Sequence, residues 1–224
     1  MPFKQRLTAL QSRIRQAETA ANRPVDSVQL VAVSKTKPAA DIVQAYLAGQ
    51  RHFGENYVQE ALGKQAELGA FDITWHFIGP IQSNKTKAIA QHFAWVHSVD
   101  RLKVAERLNA QRPAHLPPLK VCLQVNISRE SSKSGIMLEN LSELVTAIQT
   151  LPRIQLCGVM AVPEPAQTFE LQRLPFKALY AAVNQLQQPT LTTFSMGMSD
   201  DLEAAIAEGS TLIRVGSALF GQRQ

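Results

Sequence analysis

The sequence predicts an α/β protein, a single (β/α)8 TIM barrel, and three observations carry that prediction. Short β-rich runs alternate with helical patterns, which implies a parallel sheet. Eight such runs can be read, and no linker or internal repeat divides them. At 224 residues the chain lies within the roughly 200 to more than 400 residues that closed barrels span. Residues 1–224 are therefore expected to form one barrel domain. The competing architecture is an open doubly wound sheet. Its dinucleotide-binding version is weakened because no GxGxxG follows the first strand.

The elements follow in order. Phe3, Leu7, Leu10, Ile14 and Ala17 fall at spacings of four and three, one face of an amphipathic helix. Residues 28–34 (VQLVAVS) form a nearly unbroken apolar run, as expected of a strand covered on both faces. Further strands are predicted around 52–53 and over 74–78, 94–99, 120–126, 154–162, 190–195 and 211–215. Helical patterns lie between them at 39–48, 57–68, 101–109, 138–150 and 202–207. Another covers 167–187, where Pro175 predicts a break or a fresh start.

Composition narrows the function classes. Hydrophobic residues make up 45% and charged residues 18%, an ordinary globular balance that argues against disorder. No apolar run approaches the ~20 residues of a membrane helix, and the first residues lack a signal-peptide core. A net charge of +5 is spread along the chain, and aromatics are only 6%. A basic stripe interleaved with stacking rings is absent, so nucleic acid is not the expected partner. Two cysteines are too few for a disulfide framework. A reducing cytoplasm and a monomer are the expected setting.

In a barrel the functional groups gather at the C-terminal ends of the strands. Lys35 closes the first strand and, by the two-residue period, shares a face with Val31 and Val33. Poor hydration there disfavours its ammonium form and makes the amine nucleophilic enough to attack a carbonyl. The plainer alternative is a lysine that leaves for solvent, the role expected of Lys37. The loops after strands seven and eight commonly hold phosphate. Gly216 allows close backbone approach. Ser217 begins a short helix through Phe220 and offers its hydroxyl with free N–H groups. Ser195 adds a hydroxyl from the adjacent strand. Two ordinary turns remain the alternative, but strands one and eight become neighbours on closure, so one ligand could touch both.

Other polar residues have simpler readings. Asn56, after the second strand, is either a ligand hydrogen-bonding group or the N-cap of the next helix. Ser199 reads as the N-cap of 202–207, with Asp200 and Asp201 in the positive first turn. His76 reads as a satisfied core residue, and His52, His92, His97 and His115 lack zinc spacing. Cys122 and Cys157 lie in predicted strands and read as packing groups. No metal ligand and no catalytic residue is assigned.

Several long segments occur in a specific order: LVAVSKTKP at 30–38, FGENYVQE at 53–60, WHFIGPIQSNK at 75–85, Asn126–Arg129 followed by KSGI at 133–136. GVMAVP at 158–163, FSMGMSDDLEAAIAEGST at 194–211 and IRVGSALFG at 213–221 complete the set. Over nearly its whole length the chain resembles the pyridoxal phosphate homeostasis family. That resemblance implies a barrel similar to the N-terminal domain of alanine racemase, with pyridoxal 5′-phosphate held by Lys35 as an internal aldimine. It further implies that Ser195, Gly216 and Ser217 hold the phosphate, and that Arg214 faces the pyridine nitrogen. The family often carries threonine where Ser217 stands. Pro175 and the short tail after Gly221 are also less typical.

A guanidinium already carries its charge and only donates. Opposite the ring nitrogen it leaves a weaker electron sink than a carboxylate partner would. The expectation is a protein that binds, carries or buffers the cofactor, with little or no turnover, and regulates its supply to pyridoxal phosphate-dependent apoenzymes. The alternative is a pyridoxal phosphate-dependent amino-acid racemase-like enzyme. A third possibility is an imine-forming aldolase acting on a phosphorylated sugar.

Overall fold

A computed structural model describes residues 2–131 and 133–221. Residues 222–224, the tail that the resemblance marks as short, lie outside them. The opening amphipathic pattern folds as α1 (Phe3–Ala20), and Phe3, Leu7, Leu10, Ile14 and Ala17 are all buried, together with Glu18. The Glu18 carboxylate accepts the amides of Asp26 (2.9 Å) and Val28 (2.7 Å) and so delivers the chain into the first strand.

Strands and helices then alternate. They run β1 (Gln29–Val33), α2 (Ala39–Leu47), β2 (His52–Glu55), α3 (Val58–Glu67), β3 (Thr74–Phe77), α4 (Thr86–His92), β4 (Trp95–Val99) and α5 (Leu102–Gln111). The second half comprises β5 (Leu119–Val125), α6 (Leu141–Ile148), β6 (Ile154–Ala161), α7 (Phe169–Gln185), β7 (Thr193–Ser195), α8 (Leu202–Ala207), β8 (Leu212–Val215) and α9 (Ser217–Phe220). Neighbouring strands pair in parallel and in chain order. β1 closes on β8 in the register Gln29↔Leu212 to Ala32↔Val215. The expected barrel is observed, with every expected strand present and its ends within a few residues.

Two local differences have physical reasons. The break expected at Pro175 does not occur, and α7 runs through it. Pro175 forfeits one bond to the Leu171 carbonyl. Leu171 is exposed, so water can serve that carbonyl, while buried Phe176, Leu179 and Val183 hold the helix on the barrel. Helix α4 falls outside the helical patterns named from the sequence. It has only seven residues, TKAIAQH, with Thr86, Ile89 and Ala90 buried.

The apolar core lies mainly between the strands and the helical ring. One cluster gathers α4 to α7 around β3 to β7, and the other seats α1, α2 and α9 against β1, β2 and β8. Close strand packing requires Gly158, where a Cβ would sit 1.8 Å from the Thr193 carbonyl oxygen. Among the described residues, no helix is long and apolar enough to cross a membrane.

Candidate functional site

The C-terminal strand ends surround a cavity of about 460 Å3, within the ~300–1,000 Å3 usual for small-ligand sites. Lys35, Asn56, Arg214, Gly216 and Ser217 all line it. Five of the six expected residues are thus brought together from β1, β2 and β8, although up to 182 positions separate them in sequence.

Lys35 sits in a constrained turn. The Lys37 amide donates to the Ser34 carbonyl (3.1 Å), which makes Lys35 and Thr36 the central residues. Thr36 has φ +63°, a left-handed conformation that is strained for a β-branched side chain and costs on the order of 1–3 kcal/mol. The Glu60 carboxylate secures it by accepting the Thr36 amide. Lys64 holds Glu60 in place. Its buried Nζ also donates to Glu55 Oε1 (2.8 Å) and to the Ser34 carbonyl (2.7 Å). The Ser34 hydroxyl donates to the same Glu55 oxygen (2.6 Å). Burial pushes the Glu55 carboxyl above its ordinary range, against the opposing pull of Lys64. Lys37, expected in solvent, instead lines the cavity because this turn folds it back.

On the other side, Gly216 lets the turn after β8 lie against β1, since a Cβ would stand 3.2 Å from the Val33 carbonyl oxygen. Ser217 follows as the first residue of α9, whose earliest N–H groups have no intrahelical acceptor. The cavity thus receives a hydroxyl and unspent amides at one corner.

Ser195 requires a correction. It does not line the cavity. It is fully buried below, receiving Arg214 Nη1 (2.7 Å) and lying 2.7 Å from His97 Nδ1. The cause is register: β7 ends at Ser195 with its side chain inside the barrel, and Gly197, at φ +96°, turns the chain so that only residues 198–200 reach the mouth. The hydroxyl that does reach it belongs to Ser199, whose Oγ is 3.3 Å from Ser217 Oγ. Nor is Ser199 the cap of α8. Asp201 occupies that position, and its carboxylate accepts the Met198 amide (2.6 Å). Arg13 on α1 braces the loop through the Ser199 carbonyl (2.8 Å) and Glu203. A serine-rich loop beside the Gly216 turn was the available signal; the capping pattern obscured it.

Asn56 is resolved between its two readings, because the N-cap of α3 is Tyr57. Asn56 Oδ1 is buried and makes no hydrogen bond among the described residues. Gly79, just after β3, packs against the Asn56 backbone, where a Cβ would meet the Asn56 carbonyl oxygen at 2.2 Å. An orphaned acceptor at a cavity wall fits a ligand that brings a donor.

Arg214 forms part of the floor. Its Nη1 reaches the Ser195 carbonyl and hydroxyl, and Nη2 reaches the Ala161 carbonyl (3.0 Å). Burial lowers the guanidinium to about 10, with Asp201 pulling the other way, so it stays charged at neutral pH. Among the described residues no carboxylate pairs with it within 4.0 Å. Among the described residues, Lys35, Lys37 and Arg214 line the cavity with one carboxylate, Asp200. Such a balance favours an anion.

Cys122 and Cys157 are buried free thiols, both pushed up by burial, and are packing groups. Among the described residues no group of histidine, cysteine, aspartate and glutamate is arranged to hold a metal.

With this geometry established, comparison with known proteins is decisive about kinship. The alanine racemase N-terminal domain family model matches residues 5–224. A pyridoxal phosphate homeostasis protein from Pseudomonas aeruginosa is 59% identical over 95% of this chain and 92% of its own length. The chain belongs to the pyridoxal phosphate homeostasis protein family. Its Escherichia coli member is 51% identical over 97% of this chain and 95% of the relative. PipY of Synechococcus elongatus, solved with pyridoxal phosphate bound, superposes with a TM-score of 0.85 at 41% identity, covering 98% of this chain and all of PipY. Alanine racemase from Corynebacterium glutamicum matches with a TM-score of 0.66 at 16% identity, covering 97% of this chain and 61% of the racemase, a likeness of fold alone.

Proposed function

We propose that this chain binds pyridoxal 5′-phosphate in the β1–β8 mouth and serves cofactor homeostasis by holding it, with little or no turnover. The observation that carries the reading is the meeting of a lysine, two serine hydroxyls and an unpaired arginine in one cationic cavity. When bound, the cofactor supplies an aldehyde on an aromatic ring with a phosphate tail. Lys35 supplies the amine that condenses with that aldehyde, releasing water. Ser199, Ser217 and the amides opening α9 hold the phosphate, and Gly216 admits it close to the backbone. Asn56 Oδ1 accepts from the ring hydroxyl, and Arg214 donates toward the ring nitrogen. Ser195 acts from below, through Arg214.

Arg214 supports the low-turnover reading. A donor-only guanidinium leaves the ring nitrogen without the extra proton that makes the ring a strong electron sink. A holder that supplies apoenzymes agrees with the homeostasis role for which the Pseudomonas aeruginosa and Escherichia coli relatives are named. The test is the absorbance of protein loaded with pyridoxal phosphate, before and after borohydride, followed by peptide mapping. The trapped adduct should map to Lys35. Lys35→Ala should lose it completely and keep weaker, non-covalent binding through the phosphate contacts. An undiminished adduct in that variant would sink the assignment. Incubation of the loaded protein with amino acids in heavy water should give negligible α-deuteration; rapid exchange would favour the racemase-like alternative.

A further inference from the structure

The barrel axis beneath the cavity is filled by polar side chains where aliphatic layers are usual. Arg214 Nη1 donates to Ser195 Oγ (2.7 Å), which lies 2.7 Å from His97 Nδ1. His97 Nε2 is 2.9 Å from His76 Nδ1, and His76 Nε2 is 2.9 Å from His52 Nδ1. The row crosses β8, β7, β4, β3 and β2. His76 and His97 are buried. His52 is half-buried and lines a recess near the N-terminal strand ends with Gln29 and Thr211.

One direction along this row also spends the Ser195 proton. A guanidinium has no acceptor, so at its contact with Ser195 the proton comes from Arg214. The hydroxyl has one proton of its own, and His97 is its other side-chain partner. That proton is spent on His97 only when Ser195 donates to Nδ1; the reverse direction, with the hydroxyl accepting twice, leaves it unspent. A neutral imidazole that accepts at Nδ1 carries its proton on Nε2. That proton faces His76 Nδ1, and the same reasoning passes to His52. A proton added to His76 or His52 on Nδ1 would face the Nε2–H of the ring before it, and one added to His97 on Nδ1 would turn the Ser195 hydroxyl away from it.

We propose that Ser195, His97, His76 and His52 form a one-way hydrogen-bond relay, all three imidazoles in the Nε2–H form, that positions Arg214 at the cavity floor. The surroundings agree. Arg214 and Lys120, which packs over Trp95 from β5, both oppose a proton on the rings. Burial pushes His76 well below the ordinary histidine range and His97 to about 3. Trp95 stacks on His76 at 5.6 Å and closes one face.

The relay has a consequence for the site, which rests on the function proposed above. Every proton in the row points away from the cavity. Nothing below Arg214 offers a proton upward, so a ring nitrogen facing Arg214 meets a donor that is not replenished. The histidines and Ser195 are positioning residues; none touches the ligand.

Ligand-free protein suffices to test the relay. Protein labelled with 15N in histidine and arginine should show all three rings as Nε2–H at neutral pH, and distinct, slowly exchanging Nη signals for a held Arg214. Ser195→Ala should let His97 sample both tautomers and merge the Arg214 signals. Ser195→Thr, which keeps the hydroxyl, should restore both. A wild-type ring protonated on Nδ1, or charged, overturns the relay whatever the variants do. Unchanged arginine signals in Ser195→Ala overturn the positioning role. Wild type that gives the expected spectra yet forms no adduct with pyridoxal phosphate supports the relay and overturns the proposed function instead.

Discussion

Two buried polar networks reach the same cavity from below, and they are built on opposite principles. Beneath the Lys35 turn, Lys64, Glu55 and Glu60 form a compact ion cluster between the strands and α3. Beneath Arg214, a serine and three uncharged rings extend through the barrel. The first network balances charge with charge and fixes a strained backbone. The second leaves one positive charge unpaired and surrounds it with neutral acceptors. A buried ion pair is costly to break because each partner is left desolvated. A neutral row costs less to disturb but is sensitive to any proton that enters it. The two walls of the cavity should therefore respond differently to mutation and to acid.

The largest effect should come from the ion cluster. Lys64→Met strands two carboxylates around a buried site and should lower unfolding free energy by about 3–5 kcal/mol, read by urea denaturation at neutral pH. Loss of the anchored Thr36 amide should also reduce the yield of borohydride-trapped adduct. A change below 1 kcal/mol would mean that the cluster is solvated and the contrast is false.

Acid should discriminate against the histidine row. His76 and His97 have folded values below the ordinary ~6.5 of histidine, so as pH falls through that value the unfolded chain binds protons that the folded chain refuses. Stability is intact above it and should fall by about 1.4 kcal/mol per pH unit for each such ring on acidification. For His97 that loss continues down to about pH 3. The raised value of Glu55 works in the opposite sense nearer the carboxylate range, so denaturation between about pH 7 and about pH 5.5 isolates the histidines. His97→Gln should flatten the slope by one such increment. An identical slope in that variant would remove His97 from the account.

The smallest effect belongs to the mouth. Ser217→Ala removes one hydroxyl from a turn that is open to water, and should weaken pyridoxal phosphate binding by about tenfold or less, the worth of ~1 kcal/mol for one hydrogen bond. Its melting temperature should match that of the parent. Equilibrium titration followed by absorbance measures the first, calorimetry the second.

The same contrast explains what could be read in the chain. The barrel was legible because its strands are apolar runs such as VQLVAVS and KVCLQV, each followed by a helical period. The mouth was legible because Lys35, Gly216 and Ser217 follow strand ends, where barrels place their chemistry. Ser199 reaches the cavity and Ser195 does not, because a turn at Gly197 decides which hydroxyl rises, and sequence spacing does not reveal that turn. The relay was not legible as a unit. His52, His76, His97 and Ser195 stand 24, 21 and 98 positions apart; His76 alone reads as a core residue, and His52 and His97 show only that they lack zinc spacing. Only the pleat and stagger of a closed sheet bring them into line. Lys64 was hidden likewise, since a lysine in an amphipathic helix normally faces water.

The junction between β1 and β8 joins the opening and closing thirds of the chain. An N-terminal fragment that lacks the final strand carries Lys35 but not Arg214, Gly216 and Ser217, which line the other side of the cavity. A ligand that spans this junction then acts as a rivet, drawing its stabilisation from the most non-local pairing in the molecule.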